Sequence, residues 1–426
     1  MWVRSMKVRN FYSVILGLAF LVLSTGSIHA QVTAIKAGKL VDPESGTIST
    51  NQVILIEGRK IKAVGRGLKI PDGASVIDLS KSTVLPGLFD AHTHLCLTVI
   101  KERDNGNYFF TTLLDTTAYR AIQGVVNARE MLDSGFTTVR DVGNAGNYAD
   151  TDLRRAIQRG MIHGPTIINA GKIIAPYGGQ FHLQPEKRNL ADSEYSFADT
   201  RDELKKAIRE NIHYGALVIK IVVDDQRYIY SEDDIRFIVE EAGQAGLKVA
   251  AHCWTERGAR NAAAAGVASI EHGFEISDST LELAKKNNVA LVATSFPEAF
   301  LREMGIPEAA VEHSVWVDNL RRANRIGVTI VYGTDATNAV KGETRGTLSL
   351  SFIDSYVEAG IPAKTILRMM TTNASQLLGV EKERGAIKVG QAADIIATSA
   401  NPLDDIRTLK QVSFVMKDGR IFKHAK

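Results

Sequence analysis

Apolar and polar positions along this chain follow two rhythms. Between Val32 and about Leu85 the apolar runs are short and alternate with polar residues, as in Val32-Thr-Ala-Ile-Lys-Ala37 and Gln52-Val-Ile-Leu-Ile-Glu57. Period-two alternation marks half-buried strands. Gly38, Gly46, Gly58, Gly65 and Gly67, with the turn signals Asp42-Pro43 and Pro71-Asp72-Gly73, separate these runs. A small β unit is predicted here. After Ala374 the same texture returns in Ala393-Asp-Ile-Ile-Ala-Thr398, Gln411-Val-Ser-Phe-Val-Met416 and Arg420-Ile-Phe422. The simplest packing joins residues 31–85 and 380–426 into one composite β-sandwich domain.

Between these ends the rhythm is strand, then helix, repeated. Eight apolar runs follow one another: Leu88–His92, Thr137–Val142, Thr166–Ala170, Val218–Val223, Lys248–Cys253, Ser269–His272, Ala290–Thr294 and Thr329–Tyr332. Helix-spaced stretches lie between them, such as Ser231–Ala242, where Ser231 followed by Asp234 is a start signal. Alternating strands and helices imply an α/β fold with a parallel sheet and helical crossovers. Eight units predict a (β/α)8 TIM-type barrel over residues 86–379, with its active site at the C-terminal ends of the strands. A doubly wound open sheet is the alternative, but no Gly-x-Gly-x-x-Gly follows a first strand.

The N-terminus fits neither rhythm. Arg4, Lys7 and Arg9 precede an apolar run from Val14 to Leu23, which Ser24-Thr-Gly-Ser-Ile-His-Ala30 follows. That layout reads as a signal peptide over residues 1–30, cut near Ala30, with an uncleaved anchor as the alternative. The run is short for a bilayer span, and no cysteine follows it for lipid attachment. The mature protein is expected to be exported, periplasmic or secreted, with no stable membrane association. The chain has 426 residues, 45% hydrophobic and 23% charged, with a net charge of +3. Those values suit an ordinary globular chain. No basic block points to nucleic acid. Cys96 and Cys253 are the two cysteines. They read as small buried residues rather than a bridge, although export would permit one.

Candidate chemistry sits at the strand ends. In an extended strand, residues i and i+2 face the same way. His92 and His94 can therefore aim two imidazoles at one point, as a metal site requires. Lys220 interrupts an otherwise apolar run, and a buried ammonium without a partner is costly or loses its proton. It either pairs with a carboxylate or is carbamylated by carbon dioxide into an anionic ligand. His252, His272 and Asp335 end three further runs. Singly, each has a plain alternative: a satisfied core histidine, or a helix N-cap for Asp335. Together they converge, because barrel strand ends meet at one place.

With these residues assembled, the chain resembles the amidohydrolase superfamily. The resemblance rests on Pro86-Gly-Leu-Phe-Asp-Ala-His-Thr-His94, Val218-Ile-Lys220, Ala251-His252, Ile270-Glu-His272 and Gly333-Thr-Asp335. The closing Thr371-Thr-Asn-Ala-Ser-Gln-Leu-Leu-Gly379, Gly390-Gln-Ala-Ala-Asp394 and Asn401-Pro402 extend it. Within the superfamily the chain is most similar to the branch of imidazolonepropionases and metal-dependent, prolidase-like dipeptidases. The resemblance implies two divalent ions, zinc by default. His92, His94 and Asp335 would hold the more buried ion, and His252 and His272 the second. N6-carboxylated Lys220 would bridge them, with a shared water as nucleophile and Asp335 as general base and acid.

The same resemblance implies substrate residues. Tyr230, before the Ser231 helix start, would hold a substrate α-carboxylate, with Arg227 and Tyr228 beside it. Relatives often place a histidine after paired glycines to touch the scissile carbonyl. Here Gln180 follows Gly178-Gly179, and His182 lies two further on, so His182 is the expected catalytic partner. His163, before Gly164-Pro165, reads as structural. The expected reaction is cleavage of the C–N bond of a dipeptide or N-acyl amino acid, including aromatic amides of phenylalanine. Hydrolysis of a cyclic amide, and a non-catalytic binding protein on the same scaffold, are the alternatives. Relatives of this kind imply a homo-oligomer.

Overall fold

The computed structural model describes residues 32–425. The expected signal peptide lies outside the described residues. Seven strands form a mixed sheet in the order Arg420–His424, Val412–Lys417, Ile395–Thr398, Ser75–Pro86, Val32–Asp42, Thr47–Glu57, Lys60–Arg66. The two ends of the chain meet where Ile395–Thr398 runs antiparallel to Ser75–Pro86, with Ile395 opposite Pro86. One face buries Ile35, Ile54, Ile77, Val84, Ile395 and Phe414, the residues that alternation assigns to it. The sheet also curls. Ile61 N–H donates to Gln391 at 2.9 Å, and Ala393 N–H to Arg59 at 2.9 Å, so the edge strand Lys60–Arg66 bonds the stretch leading into Ile395–Thr398. Curling removes an exposed edge that would otherwise template aggregation.

The chain passes from this sheet into the next through Gly87. A Cβ there would lie 2.2 Å from Thr137 Oγ1, so no larger residue fits the crossing. Leu88–Thr93, Phe136–Asp141 and Thr166–Asn169 then form a parallel sheet of three. A second parallel sheet runs Ala290–Val292, Ser269–His272, Val249–Cys253, Ile219–Val222, Ile173–Ala175, Tyr195–Phe197. Seven of the eight expected runs therefore contain strands. The eighth, Thr329–Tyr332, carries one parallel bridge, Ile330 to Leu291, instead of a full ladder. It still bonds on both sides: Val331 N–H donates to Leu291 at 2.9 Å, and Ala91 N–H donates to Tyr332 at 2.9 Å. At the other gap Leu217 N–H donates to Asn169 at 2.7 Å. The short strands Ile173–Ala175 and Tyr195–Phe197 were not legible as runs, since three residues carry no period.

Helices follow the strands, and several start at a side-chain cap. Ser231 Oγ accepts from Asp234 N–H at 3.2 Å while Asp234 bonds back to Ser231, opening Glu232–Gly243. Thr200 and Glu203 do the same for Arg201–His213. Each such cap is worth about 1 kcal/mol. Among the described residues no helix is long and apolar enough to cross a membrane.

Candidate active site

Six polar side chains stand where the parallel strands end. His92 is the last residue but one of Leu88–Thr93 and His94 follows that strand, Lys220 lies in Ile219–Val222, and His252 and His272 lie in Val249–Cys253 and Ser269–His272. Asp335 follows the Thr329–Tyr332 run, and its N–H donates to the His92 carbonyl at 2.8 Å. All six line one cavity of about 430 Å³. The imidazole centroids of His92 and His94 are 5.3 Å apart, those of His92 and His272 4.9 Å, and those of His252 and His272 4.6 Å. His94 Nε2 is 3.3 Å and His92 Nε2 4.0 Å from Asp335 Oδ1. Two groups of potential ligand atoms lie within 4.8 Å of one another: His92, His272 and Asp335, and Asp224, Asp225 and His252.

Each ring is held from behind. His92 Nδ1–H donates to Glu271 Oε2 at 2.8 Å, and His94 Nδ1–H donates to the Gly143 carbonyl at 2.7 Å. His272 Nδ1 shares a 2.8 Å hydrogen bond with Thr294 Oγ1. Pinning Nδ1 this way fixes the tautomer and turns Nε2 toward the cavity, which is how metal-ligating histidines are oriented. Glu271 is itself gripped by Arg140, whose Nη2 lies 2.7 Å from Glu271 Oε1 and whose Nε donates to Ala91 at 2.6 Å. Asp90 accepts from Thr334 Oγ1 at 2.7 Å and from His92 N–H at 3.1 Å, tying the first ligand loop to the last. His252 Nε2 is buried without a hydrogen-bond partner: Asp225 Oδ2 is 2.9 Å away but poorly aligned. An orphaned imidazole nitrogen beside three oriented ones fits a cation.

The electrostatics favour neutral imidazoles at His92 and His272 and a reactive amine at Lys220. Burial pushes the His92 pKa down to about 4, with Lys220 adding to the effect. Burial, then His252 and His92, hold His272 well below the usual histidine range. For His94 burial acts downward most strongly of any single cause, but the hydrogen bond and charge of Asp335, with Asp141 and the Gly143 carbonyl, together outweigh it and its pKa rises. Burial pushes Lys220 down to about 8, although Glu271 and Asp335 oppose it. Both carboxylates stand below their usual range: burial raises each, and the surrounding basic groups and hydrogen bonds together outweigh it, Arg140 first for Glu271 and His92 first for Asp335. Glu271 is engaged by His92 and Arg140, and Asp335 stands against His94 and His92. Neither makes an ion pair with Lys220 among the described residues. Several residues of the site also hold left-handed backbone: Asn144 at φ 52°, Asp225 at φ 82°, His272 at φ 67°, Thr294 at φ 44° and Asp335 at φ 55°. For residues other than glycine this costs on the order of 1 kcal/mol each, a strain that clusters at functional sites.

The amidohydrolase family model matches residues 83–422. The chain belongs to that family. It is 29% identical to the ochratoxinase of Aspergillus niger over 93% of this chain and 87% of that protein. A solved Xaa-Pro dipeptidase with methionine in its active site is 31% identical, with a TM-score of 0.81 over 92% of this chain and all of that one. A prolidase solved with N-methylphosphonate-L-proline is 27% identical, with a TM-score of 0.79 over 92% of this chain and all of that one.

The residues expected to bind substrate in this amidohydrolase are placed differently from the ligands. Tyr230 is buried, and its hydroxyl donates to the Ala198 carbonyl at 2.6 Å, so it does not line the cavity. Arg227 and Tyr228 are exposed beyond Asp225 and do not line it either. His182 is exposed and outside the cavity, because Phe181 before it turns inward to pack on Tyr195, Phe109 and Tyr108. Gln180 lines the cavity instead, donating to Asp225 Oδ2 at 2.8 Å and accepting from Tyr195 OH at 2.5 Å. None of the four expected residues, Tyr230, Arg227, Tyr228 and His182, lines the cavity. His163 stacks edge-on against Phe422, away from the cavity. Cys96 and Cys253 are free and buried.

Sequence reasoning missed Arg140, Glu271, Thr294 and Asp225. Arg140 had the same signal as Lys220, a cation inside an apolar run. Removing the buried Glu271 carboxylate should loosen His92: Glu271→Gln is expected to weaken metal binding about 10- to 100-fold. Chelator competition on the purified variant measures it; unchanged affinity would show that Glu271 does not orient the ligand.

Proposed function

We propose that this chain is a binuclear, metal-dependent amidohydrolase that cleaves the amide bond of dipeptides or N-acyl amino acids, built on a closed (β/α)8 barrel carrying a β-sandwich from both chain ends. The observation that carries the reading is the convergence of four histidines, Lys220 and Asp335 on one cavity, with three imidazoles pinned through Nδ1. His92, His94 and Asp335 would hold one ion and His252 and His272 the other, zinc by the character of the donors. Such ions supply an ionised water and a polarised carbonyl at neutral pH. Lys220 would join both sets once its neutral amine adds to carbon dioxide and loses a proton, leaving a carbamate.

The protein groups then do the rest. Asp335, held between His94 and His92, takes the proton of the attacking water and returns it to the leaving amine. Gln180, which lines the cavity with its amide oriented by Asp225 and Tyr195, would donate to the substrate carbonyl. The wall of Trp254, Phe296 and Leu301 excludes water and receives an apolar side chain. The Xaa-Pro dipeptidase relative, solved with methionine in its active site, agrees with that chemistry. We also propose export directed by residues 1–30 and assembly into a homo-oligomer. The test of function is a panel of dipeptides and N-acyl amino acids offered to zinc-loaded protein, with free amino acid as readout. Release from apolar members supports the reading; cleavage of cyclic amides alone would replace it.

A further inference from the structure

His252 is the cavity histidine whose ring nitrogen is unaccounted for. The residue is 6% exposed, and its Nε2 makes no hydrogen bond among the described residues. Two carboxylates stand beside that nitrogen, Asp225 Oδ2 at 2.9 Å and Asp224 Oδ1 at 3.8 Å. Asp224 is already engaged. Both its oxygens accept from the Trp254 N–H, at 2.9 and 3.1 Å, and Oδ2 also accepts from the Thr255 N–H at 2.8 Å and from Thr255 Oγ1 at 2.7 Å. Asp225 has capacity to spare. It lines the cavity, and its Oδ2 accepts from Gln180 Nε2 at 2.8 Å.

A carboxylate oxygen this close to an imidazole nitrogen, without a hydrogen bond, needs a reason. A hydrogen bond wants the oxygen near the axis of the ring N–H, and Asp225 Oδ2 lies off it. An ion shared by the two atoms wants the opposite. With bonds of about 2.1 Å from each atom to the ion, atoms 2.9 Å apart subtend roughly a right angle there, and the oxygen falls roughly 45° off the ring axis. The pair therefore has the spacing and the obliquity of two ligands of one cation. The backbone sets this aim: residue 225 is left-handed at φ 82°, which aspartate bears better than most residues.

We propose that Asp225 is a further ligand of the second ion, making with His252 and His272 a set of three protein donors to match His92, His94 and Asp335. The inference rests on the binuclear reading and adds a residue to that site. It also gives a purpose to the polar chain behind Asp225. Tyr195 OH donates to Gln180 Oε1 and Gln180 donates to Asp225, so the two hold a ligating carboxylate in place as Arg140 and Glu271 hold His92.

The test is chelator competition for zinc, with the visible spectrum of the cobalt-substituted protein, on wild type, Asp225→Asn and Asp225→Gly. Asparagine and glycine both accept the left-handed backbone at this position, so the loop keeps its shape. In both variants one of the two ions should bind about 100-fold more weakly, at least the cost of losing an outer partner of a ligand, while the other keeps its affinity. The cobalt spectrum of the weakened site should change with its ligand set. Unchanged affinity for both ions in both variants would overturn the proposal, even with a raised KM, since Asp225 would then serve the substrate. So would weakened binding with an unaltered cobalt spectrum, which would make Asp225 a support for the loop. A wild type that takes up only one ion contradicts the binuclear reading itself, and this ligand falls with it.

Discussion

Asp335→Asn is expected to lower kcat by about a thousandfold, within the range that loss of a positioned general acid–base produces. The substitution removes the carboxylate's charge while keeping an oxygen in its place, so turnover has to be read beside metal content. Asparagine tolerates the left-handed backbone that position 335 adopts at φ 55°, so the loop after Thr329–Tyr332 keeps its shape. The backbone N–H of residue 335 still donates to His92, and an amide oxygen still reaches toward His94. What disappears is the anionic oxygen that accepts and returns a proton. The measurement is steady-state turnover with metal content determined on the same sample. Near wild-type turnover in a metal-loaded variant would remove Asp335 from the proton path.

The second large effect is expected at Lys220. Its amine is buried, lies among four histidines and has a pKa near 8 where an ordinary lysine titrates near 10.5. Lowering the pKa increases the neutral, nucleophilic fraction at physiological pH, and only that form adds carbon dioxide. Lys220→Ala should reduce bound metal from two ions to one and lower kcat by about a thousandfold or more. Small carboxylates such as acetate, by filling the carbamate's place, should restore part of both. In the native sequence, reactivation of metal-stripped protein should quicken with added bicarbonate and as pH rises through about 8, because deprotonation supplies the reacting amine. Elemental analysis and a time course of recovered activity check both points. Two ions and full activity in Lys220→Ala would show that this lysine is a packed cation and nothing more.

How much of this was legible in the sequence depends on the range of the interaction. The strand ends were readable because apolar runs terminate in a few polar residues, and extended geometry alone aims His92 and His94 together. The Ser231 cap was readable because both partners lie within three residues. Long-range commitments were not. Tyr230 looked like a substrate residue at a helix start, yet its hydroxyl is spent on Ala198, 32 residues away. His182 looked like the histidine following two glycines. The left-handed pair Gly178 and Gly179, at φ 95° and 52°, instead delivers Gln180 to the cavity, and burying Phe181 leaves His182 in solvent. Arg140 and Glu271 were readable in kind and overlooked: each is a charge within a strand buried at every position. The Thr329–Tyr332 run showed its apolar character but not its sparse pairing, which depends on the two neighbours it bridges.

The most direct test of a binuclear amidohydrolase is a zinc titration of chelator-stripped protein in bicarbonate buffer. Bound zinc and release of phenylalanine from leucyl-phenylalanine are measured at each step. Amino acid release that rises with the metal and levels off at two ions per chain is the predicted result. Full release from protein carrying no metal, or two tightly bound ions with no amide cleaved, would contradict it.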